Sequence, residues 1–195
     1  MTEVRTTSTS ENTGNAGNTR TVQTLHTADL DTAAREAVRK LLDEAFEGDF
    51  DDRDWEHALG GVHALVWEGT ELVGHASLVQ RRLLHGGRAL RAGYVEGVGV
   101  RSDRRGLGHG RAMLEALERV IRGAYELGAL SSSEEALDFY TARGWQRWEG
   151  PTAVLTPTGV VRTEGDDGGV FVLPVTARLD PTRVLVCDWR DGDVW

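Results

Sequence analysis

The sequence predicts an α/β protein in which a mixed, mostly antiparallel sheet carries helices on both faces. Two observations support this fold class. Segments with apolar residues at helical spacing alternate with strand-like apolar runs, and a glycine-rich stretch, RRGLGHGRAML at 104–114, separates one such run from a helix. A chain of 195 residues is long enough for one domain with a substantial core. We therefore predict a single domain over residues 21–195, preceded by a polar, disordered tail over residues 1–20.

The first half of the chain is predicted to form a strand, a helix and a three-strand meander. The run TVQTLHTADL predicts the first strand, and Asp31 stands where it can cap the following helix. That helix has one apolar stripe, formed by Ala37, Val38, Leu41, Leu42, Ala45 and Phe46. Tight turns at Gly69-Thr70 and Gly86-Gly87 separate the strands VHALVWE, ELVGHASLVQ and RALRAGYVEGVGV. Gly97 and Gly99 in the third strand indicate a bulge or a close approach to the backbone.

The second half begins with the glycine-rich stretch and continues with a long amphipathic helix. The run SSSEEALDFYTARGW then predicts a second helix that ends at Gly144, in which Ser132 and Glu135 have the spacing of a capping box. Strand-like segments follow from Trp145 onward. They are joined by a polar loop, TEGDDGG, and lead to the segment CDWRDGDVW.

Charge and cysteine content restrict the classes of partner. The formal net charge of −9 argues against a surface for nucleic acid or anionic membrane. It fits a cationic small molecule, and equally an acidic protein that has no charged partner. The single cysteine, Cys187, excludes an intrachain disulfide, and no Cys/His spacing predicts a metal site. Because no apolar run reaches the roughly 20 residues of a membrane span and the first residues lack a secretory signal, we expect a cytoplasmic protein.

The glycine-rich stretch predicts a phosphate site. Glycines ahead of a helix let backbone N–H groups approach an anion closely, and the helix dipole favours negative charge there. The dinucleotide pattern G-x-G-x-x-G is excluded because Arg111 occupies the place of its third glycine, and the P-loop pattern is absent. Two other patterns are present, R-x-x-G-x-G and A-x-x-F-Y-x-x-x-G-W. They are matched by Arg105, Gly108 and Gly110, and by Ala136, Phe139, Tyr140, Gly144 and Trp145.

On these two motifs the chain resembles the Gcn5-related N-acetyltransferase superfamily. The segments HTADLD, GDF…DWEHALGG, ALRAGYVEGV, RGAYELGALSSS, YTARGW and CDWRDGDVW further resemble the aminoglycoside 2′-N-acetyltransferases, over residues 26–195. The resemblance implies a sheet splayed at the strand that holds acetyl-coenzyme A, and transfer of the acetyl group to the 2′-amine of an aminoglycoside antibiotic, which confers resistance. It also implies a homodimer and no metal.

The same resemblance implies a set of coenzyme contacts. The pantetheine arm is expected to lie along the third strand of the meander, and the pyrophosphate on the amides of the glycine-rich turn, with Ala136 facing the arm. His109 is expected either to donate to phosphate or to face solvent. The implied cofactor-binding residues are Val98, Gly99, Val100, Arg105, Gly106, Leu107, Gly108, His109, Gly110, Arg111 and Ala136.

Two residues are implied to carry the chemistry. Glu96 lies in a mostly buried strand, where a carboxylate is costly unless it has a use, and an outward-facing strand residue is the alternative. The resemblance makes Glu96 the general base, acting through water because an ordinary Glu pKa of about 4.3 is poorly matched to an ammonium. Tyr140 is implied to protonate the leaving thiolate; the alternative is an ordinary half-buried aromatic residue. His57 and His63 have no catalytic spacing and are predicted to be structural.

Acidic residues are implied to bind the cationic substrate through charge-assisted hydrogen bonds. The implied substrate-binding residues are Asp49, Asp54, Glu96, Gly97, Ser131, Asp166, Asp193 and Trp195, the last through its main-chain carboxylate. Taken singly, each acid could be a solvated loop residue. Two other functions stay open at this point: acetylation of a different cationic amine, and binding of acyl-coenzyme A without catalysis.

Overall fold

A computed structural model of the chain describes residues 8–10 and 20–195. These residues form two compact units. The first contains residues up to Val79 together with Glu96–Arg119, and the second contains Gln80–Val95 together with Val120–Trp195. Each unit is built from separate stretches of the chain, and the single domain predicted over residues 21–195 stays a prediction. Most of the tail predicted over residues 1–20 lies outside the described residues.

The first unit contains an antiparallel ladder. Its strands are β1 (Ser8–Ser10), β2 (Arg20–His26), β3 (Val62–Glu68) and the part of β4 (Glu71–His85) that ends at Val79. The turn between β3 and β4 lies at Gly69-Thr70, as predicted. Strand β1 differs from the prediction of a disordered tail for Ser8–Ser10, because its backbone pairs with β2.

Helices of the first unit pack apolar residues into its core, but the apolar stripe predicted for the first of them is buried only in part, since Phe46 is 39% exposed. They are α1 (Thr32–Ala45), α2 (Asp52–Ala58) and the part of α3 (His109–Ala124) that ends at Arg119. Asp31 caps α1 by accepting a hydrogen bond of 2.8 Å from the Ala34 N–H, as predicted. Val38, Leu41 and Leu42 of α1 are buried in one cluster with Leu30, Phe50 and Leu65.

Strand β5 (Arg88–Val100) follows the predicted turn at Gly86-Gly87, and its Glu96–Val100 part belongs to the first unit. Gly97 has φ +53°, a left-handed conformation that few residues other than glycine adopt. A Cβ atom at Gly99 would lie 2.9 Å from Leu42 Cδ2 and 3.2 Å from Ala45 Cβ, so glycine is needed for α1 to pack on the strand. The two glycines thus serve the two purposes that the sequence indicated.

The second unit contains the remaining parts of β4 and β5 and the later strands of the chain. These strands are β6 (Leu127–Ser131), β7 (Gln146–Arg147), β8 (Thr152–Thr156), β9 (Gly159–Arg162), β10 (Val170–Pro174) and β11 (Leu185–Asp188). The pairs β5–β6 and β8–β11 are parallel, whereas β4–β11, β6–β10, β7–β10 and β8–β9 are antiparallel. The mixed, mostly antiparallel pairing confirms the predicted fold class.

The second predicted helix is shorter than its sequence suggested. Helix α4 (Leu137–Thr141) is preceded by a 3-10 turn over Glu134–Ala136. The predicted capping box is wrong, because the Ser132 hydroxyl donates to the Ser133 carbonyl at 2.9 Å and the turn begins without a side-chain cap. In the part of the chain that the structure describes, no helix is both long and apolar enough to cross a membrane.

Candidate active site

The glycine-rich turn has the conformation that an anion site requires. Gly106 and Gly108 have φ +79° and +81°, and a Cβ atom at Gly106 would meet nothing within 4 Å. Helix α3 follows directly, and its first backbone hydrogen bond joins the Ala112 N–H to the Gly108 carbonyl at 3.1 Å. The amides ahead of Ala112 therefore make no bond inside the helix and carry the positive end of its dipole.

Both ends of this turn are fixed by one carboxylate. Glu68, on β3, lies 3.0 Å from Arg104 Nε before the turn and 3.0 Å from His109 Nε2 after it. Arg105 completes the support by donating to the carbonyls of Val100 at 3.3 Å and Ala45 at 3.1 Å.

Three residues implied to contact the coenzyme have side chains engaged within the protein. His109 is only 3% exposed, so the expectation that it faces solvent is wrong. Burial is the main cause that lowers the pKa of His109, against the opposing effect of Glu68. Arg105 holds the turn, and Arg111 pairs with Glu115 at 2.8 Å on the exposed surface of α3. Any phosphate contact in this stretch would therefore come mainly from backbone amides.

The implied pantetheine strand and the other coenzyme residues are accessible to different degrees. Val98 and Val100 are half-buried on β5, whereas Gly99 is covered by α1. Leu107, at the tip of the turn, is 58% exposed. Gly110 lies in the first turn of α3, and Ala136 is half-buried directly before α4.

Glu96 is half-buried on β5 at the irregularity that Gly97 creates. Its carbonyl accepts a hydrogen bond of 3.3 Å from the Ser77 hydroxyl, and the Gly97 carbonyl lies 2.8 Å from His75 Nδ1. Ser77 and His75 both belong to β4 and are both fully buried. The implied drug contact through the Glu96-Gly97 backbone therefore involves carbonyls that already accept bonds inside the unit.

A line of polar groups continues from Gly97 into the interior of the first unit. His75 Nε2 lies 2.9 Å from His63 Nδ1, and His63 Nε2 lies 2.7 Å from Thr27 Oγ1. Burial lowers the pKa of His63 to about 4 and that of His75 to about 3. Sequence analysis assigned no role to His75 and predicted His63 to be structural. A histidine and a serine two residues apart, on the strand before a glycine-marked bulge, are the signal that could have indicated this network.

Tyr140 lies on α4 and is 5% exposed, so it is buried and not the half-buried aromatic residue of the alternative. Its ring centroid lies 5.1 Å from that of Phe139, 6.1 Å from that of Trp145 and 6.0 Å from that of Phe171. This apolar environment raises the pKa of Tyr140 to about 12 through burial. The phenol therefore keeps its proton at neutral pH and can act as a donor.

Four implied substrate residues meet in the second unit. Asp166 has its pKa raised by burial first, and then by the negative charges of Asp193 and Asp167. Trp195 is buried, and its indole N–H donates to the Thr163 hydroxyl at 3.0 Å, in the loop that leads to Asp166. Ser131 Oγ belongs to the same neighbourhood, because a Cβ atom at Gly169 would lie 3.8 Å from it and 3.5 Å from the Asp166 carbonyl.

The segment that carries Asp193 is held by two arginines. Arg81, 5% exposed on β4, pairs with Asp188 at 2.8 Å and stacks on the Tyr94 ring at 4.7 Å. Arg190 lies 5.6 Å from the same ring and donates to the main-chain oxygens of Asp193 at 2.6 Å and Trp195 at 3.3 Å. The sequence did not predict the contacts of Arg81 with Asp188 and of Arg190 with Tyr94, because each joins positions about 100 residues apart.

The two remaining substrate candidates lie in the first unit. Asp49 is exposed in the loop before α2, where a cation could reach it. The Asp54 carboxylate already has a structural role, because one of its oxygens accepts a hydrogen bond of 2.9 Å from the Asp51 N–H. The Asp51 carboxylate accepts in turn from the Asp54 N–H at 3.0 Å. This reciprocal pair is a capping box at the start of α2.

The fold and the glycine-rich turn agree with comparison to known proteins. The model of the acetyltransferase (GNAT) family matches residues 27–145, which is more than half of the chain. The chain therefore belongs to the GNAT family of acetyltransferases. This confirms the predicted fold and enzyme class, and it confirms acetyl-coenzyme A, the acetyl donor of the family, as the predicted cofactor. The open glycine-rich turn and the amides that begin α3 fit the phosphates of this group.

Individual relatives extend the comparison. The chain is 56% identical, over 179 residues, to an aminoglycoside 2′-N-acetyltransferase of Mycolicibacterium fortuitum, and the match covers 90% of this chain and 92% of the relative. The GNAT family N-acetyltransferase YhbS from Escherichia coli, solved in complex with CoA, superposes with a TM-score of 0.63 at 13% identity over 90% of this chain and 93% of that one. An acyl-CoA N-acyltransferase from Pseudomonas aeruginosa has a TM-score of 0.57 at 16% identity, covering 79% and 99%.

Proposed function

We propose that the protein transfers the acetyl group of acetyl-coenzyme A to the 2′-amine of aminoglycosides and so confers resistance to them. The observation that carries this proposal is the high identity to a relative with that activity, which extends over nearly the whole chain. The position of the acidic residues supports it. Burial raises the pKa of Asp166 most, the charge of Asp193 raises it further, and a polycationic drug would offset the repulsion between the two carboxylates. Asp49, Asp54, Ser131 and Trp195 complete the proposed set of drug contacts.

Bound acetyl-coenzyme A would supply a thioester carbonyl that an amine can attack. Residues of the glycine-rich turn, Arg105–Gly110, would hold its phosphates through backbone amides, while Arg104 and Glu68 keep the turn in place. Val98 and Val100 would offer backbone groups along β5 to the pantetheine arm. In this arrangement the chain acts on the coenzyme mostly by binding and orienting it.

Glu96 is the proposed general base. Loss of a proton from the substrate ammonium makes its nitrogen nucleophilic, and Glu96 would accept that proton through a bridging water. Attack by the amine on the bound thioester would replace the C–S bond by a C–N bond. The nitrogen would then release its second proton, which would restore the proton that Tyr140 gives to sulfur. Ser77 and His75 bond the backbone carbonyls of Glu96 and Gly97, which would hold the strand segment that carries this carboxylate.

Tyr140 is the proposed general acid. Its apolar surroundings keep the phenol protonated, with a pKa of about 12. A thiolate expelled into similar surroundings is also destabilised as an anion, which favours transfer of the Tyr140 proton to sulfur. We further propose, from the resemblance, that the protein is a cytoplasmic homodimer, which sedimentation of the purified protein would test.

Analysis of the reaction product tests the proposed function. The protein is incubated with acetyl-coenzyme A and an aminoglycoside that has a 2′-amine, and the product is examined by mass spectrometry and NMR. One acetyl group on the 2′ nitrogen is the expected result. An acetyl group on a different nitrogen would contradict the position, and an unmodified drug together with rapid acetylation of a polyamine would contradict the substrate class.

A further inference from the structure

We propose that His75, held in one tautomer by His63 and Thr27, is a positioning residue that fixes the backbone bulge from which Glu96 acts. This inference rests on the proposed function, in which Glu96 is the general base. It concerns the residues that hold Glu96 in place. All the residues involved belong to the first compact unit.

The first step is the geometry of the bulge. In a regular strand successive carbonyls point to opposite sides, yet the carbonyls of Glu96 and Gly97 both accept from side chains of β4. The positive φ of Gly97 is what turns the second carbonyl toward the same side. Side-chain donors of β4 thus satisfy both carbonyls at this irregularity. Ser77 donates to the Glu96 carbonyl, and His75 donates to the Gly97 carbonyl.

The second step is the direction of the hydrogen bonds. A carbonyl oxygen can only accept, so the proton between His75 and Gly97 must reside on His75 Nδ1. His75 Nε2 then accepts from His63 Nδ1, and His63 Nε2 accepts from the Thr27 hydroxyl at 2.7 Å. The same hydroxyl is 3.2 Å from the Gly61 carbonyl, a longer and weaker alternative. The Gly97 carbonyl therefore sets the tautomer of both histidines, His75 and His63.

The third step is the outer end of the network. Thr27 is anchored by its own backbone, whose N–H donates to the Gly61 carbonyl at 2.9 Å. Its hydroxyl oxygen accepts from the Gly60 N–H at 2.8 Å. The row of hydrogen bonds is consequently fixed at Thr27 and at Gly97. His75 cannot rotate without breaking its bonds to His63 and Gly97.

The network holds the backbone in position, and it does not conduct protons. Its inner end is a carbonyl oxygen, which cannot take up and release a proton as a relay group must. Both rings remain neutral at assay pH because burial strongly disfavours their charged forms. The effect of His75 on catalysis is therefore geometric, acting on a carboxylate one residue away from the carbonyl that it holds.

Substitution of His75 tests the proposal with an internal comparison. His75→Leu removes the donor, whereas His75→Asn retains an N–H near the position of Nδ1. We expect His75→Leu to lower kcat about ten- to a hundredfold while KM for acetyl-coenzyme A changes less than about twofold, and His75→Asn to recover most of the loss. Coenzyme A binding by calorimetry, measured without catalysis, should be unchanged in both variants.

His85 offers a matched control on the same strand. It is also buried, and its Nδ1 also faces a backbone carbonyl, that of Val184 at 3.2 Å, but in the second unit. His85→Leu is expected to lower thermal stability and to leave kcat unchanged. Unchanged kcat in His75→Leu, or equal losses of kcat in His75→Leu and His85→Leu, would overturn the proposal.

The tautomers can be measured in the unmodified protein. Long-range ¹H–¹⁵N correlation spectra of histidine-labelled protein should show His63 and His75 protonated on Nδ1 and neutral at pH 7. A His75 proton on Nε2, or a ring that titrates near the ordinary pKa of about 6.5, would overturn the proposal even if the variants do not fold. Because this result does not depend on any substrate, it stands apart from a failure of the protein to acetylate aminoglycosides.

Discussion

Glu68 lies 3.0 Å from His109, the first residue of α3, and its other carboxylate oxygen lies equally close to Arg104. A single side chain thus joins the two ends of the glycine-rich turn. We predict that Glu68→Gln weakens coenzyme A binding about tenfold, because a neutral amide cannot balance the Arg104 guanidinium and so holds the turn less firmly, while kcat at saturation changes little. Calorimetric titration with coenzyme A checks this. Glu71→Gln is the control, since Glu71 pairs with Arg101 at 3.0 Å from an exposed position; equal affinities in both variants would exclude the role of Glu68.

Removal of the proposed base should affect chemistry and spare binding. Glu96→Gln keeps the size of the side chain but can no longer accept a proton. We expect kcat to fall about a hundredfold or more, with coenzyme A affinity unchanged. Steady-state kinetics together with calorimetry would measure both quantities. Full activity of this variant would end the assignment of Glu96.

The proposed acid is tested by removing one oxygen atom. Tyr140→Phe leaves the packing against Phe139, Trp145 and Phe171 intact, so the fold should be preserved. The single-turnover rate should fall about tenfold to a hundredfold. Tyr125→Phe, another partly buried tyrosine of the second unit, serves as the control. The acid role is refuted when both variants react as fast as the parent protein.

Asp166 should influence the drug and not the coenzyme. Its charge lies near that of Asp193, and a bound ammonium would offset the repulsion between them. Asp166→Asn is expected to raise KM for an aminoglycoside about tenfold, with KM for acetyl-coenzyme A unchanged. Glu164→Gln changes an exposed acid of the same loop and should have little effect. If both variants raise KM for the drug equally, general surface charge and not Asp166 is responsible.

The two buried histidines should make stability depend on pH. Burial lowers the pKa of His63 to about 4, with smaller contributions from His26 and Arg35, and that of His75 to about 3. In the unfolded chain both pKa values return to about 6.5, so the unfolded state binds more protons below that pH. The free energy of unfolding should therefore fall as pH drops from about 6.5 to about 4, by up to about 1.4 kcal/mol per pH unit for each histidine. Urea unfolding at several pH values should give a shallower slope for His63→Leu; identical slopes would contradict the account.

Much of the fold was predictable because its signals are local. The apolar stripe of α1, the cap at Asp31 and the turns of the meander depend on residues close in sequence. The capping-box spacing was a less reliable guide. It failed at Ser132 and Glu135, where the chain forms a 3-10 turn, while Asp51 and Asp54 form the box that is present.

The site was less predictable because much of it depends on strand register. His63, His75 and Gly97 come together only because β3, β4 and β5 lie side by side, an arrangement that no local pattern encodes. His109 shows the same limit. A histidine in a glycine-rich turn suggests exposure, but pairing with Glu68 draws its ring inside.

The most direct test of the proposed function compares kanamycin B with kanamycin A in an assay of coenzyme A thiol release. The two drugs differ at the 2′ carbon, which carries an amine in the first and a hydroxyl in the second. The proposed function predicts much faster release with kanamycin B. Equal and rapid release with both drugs would contradict acetylation at the 2′-amine, and no release with either would contradict aminoglycosides as the substrate class.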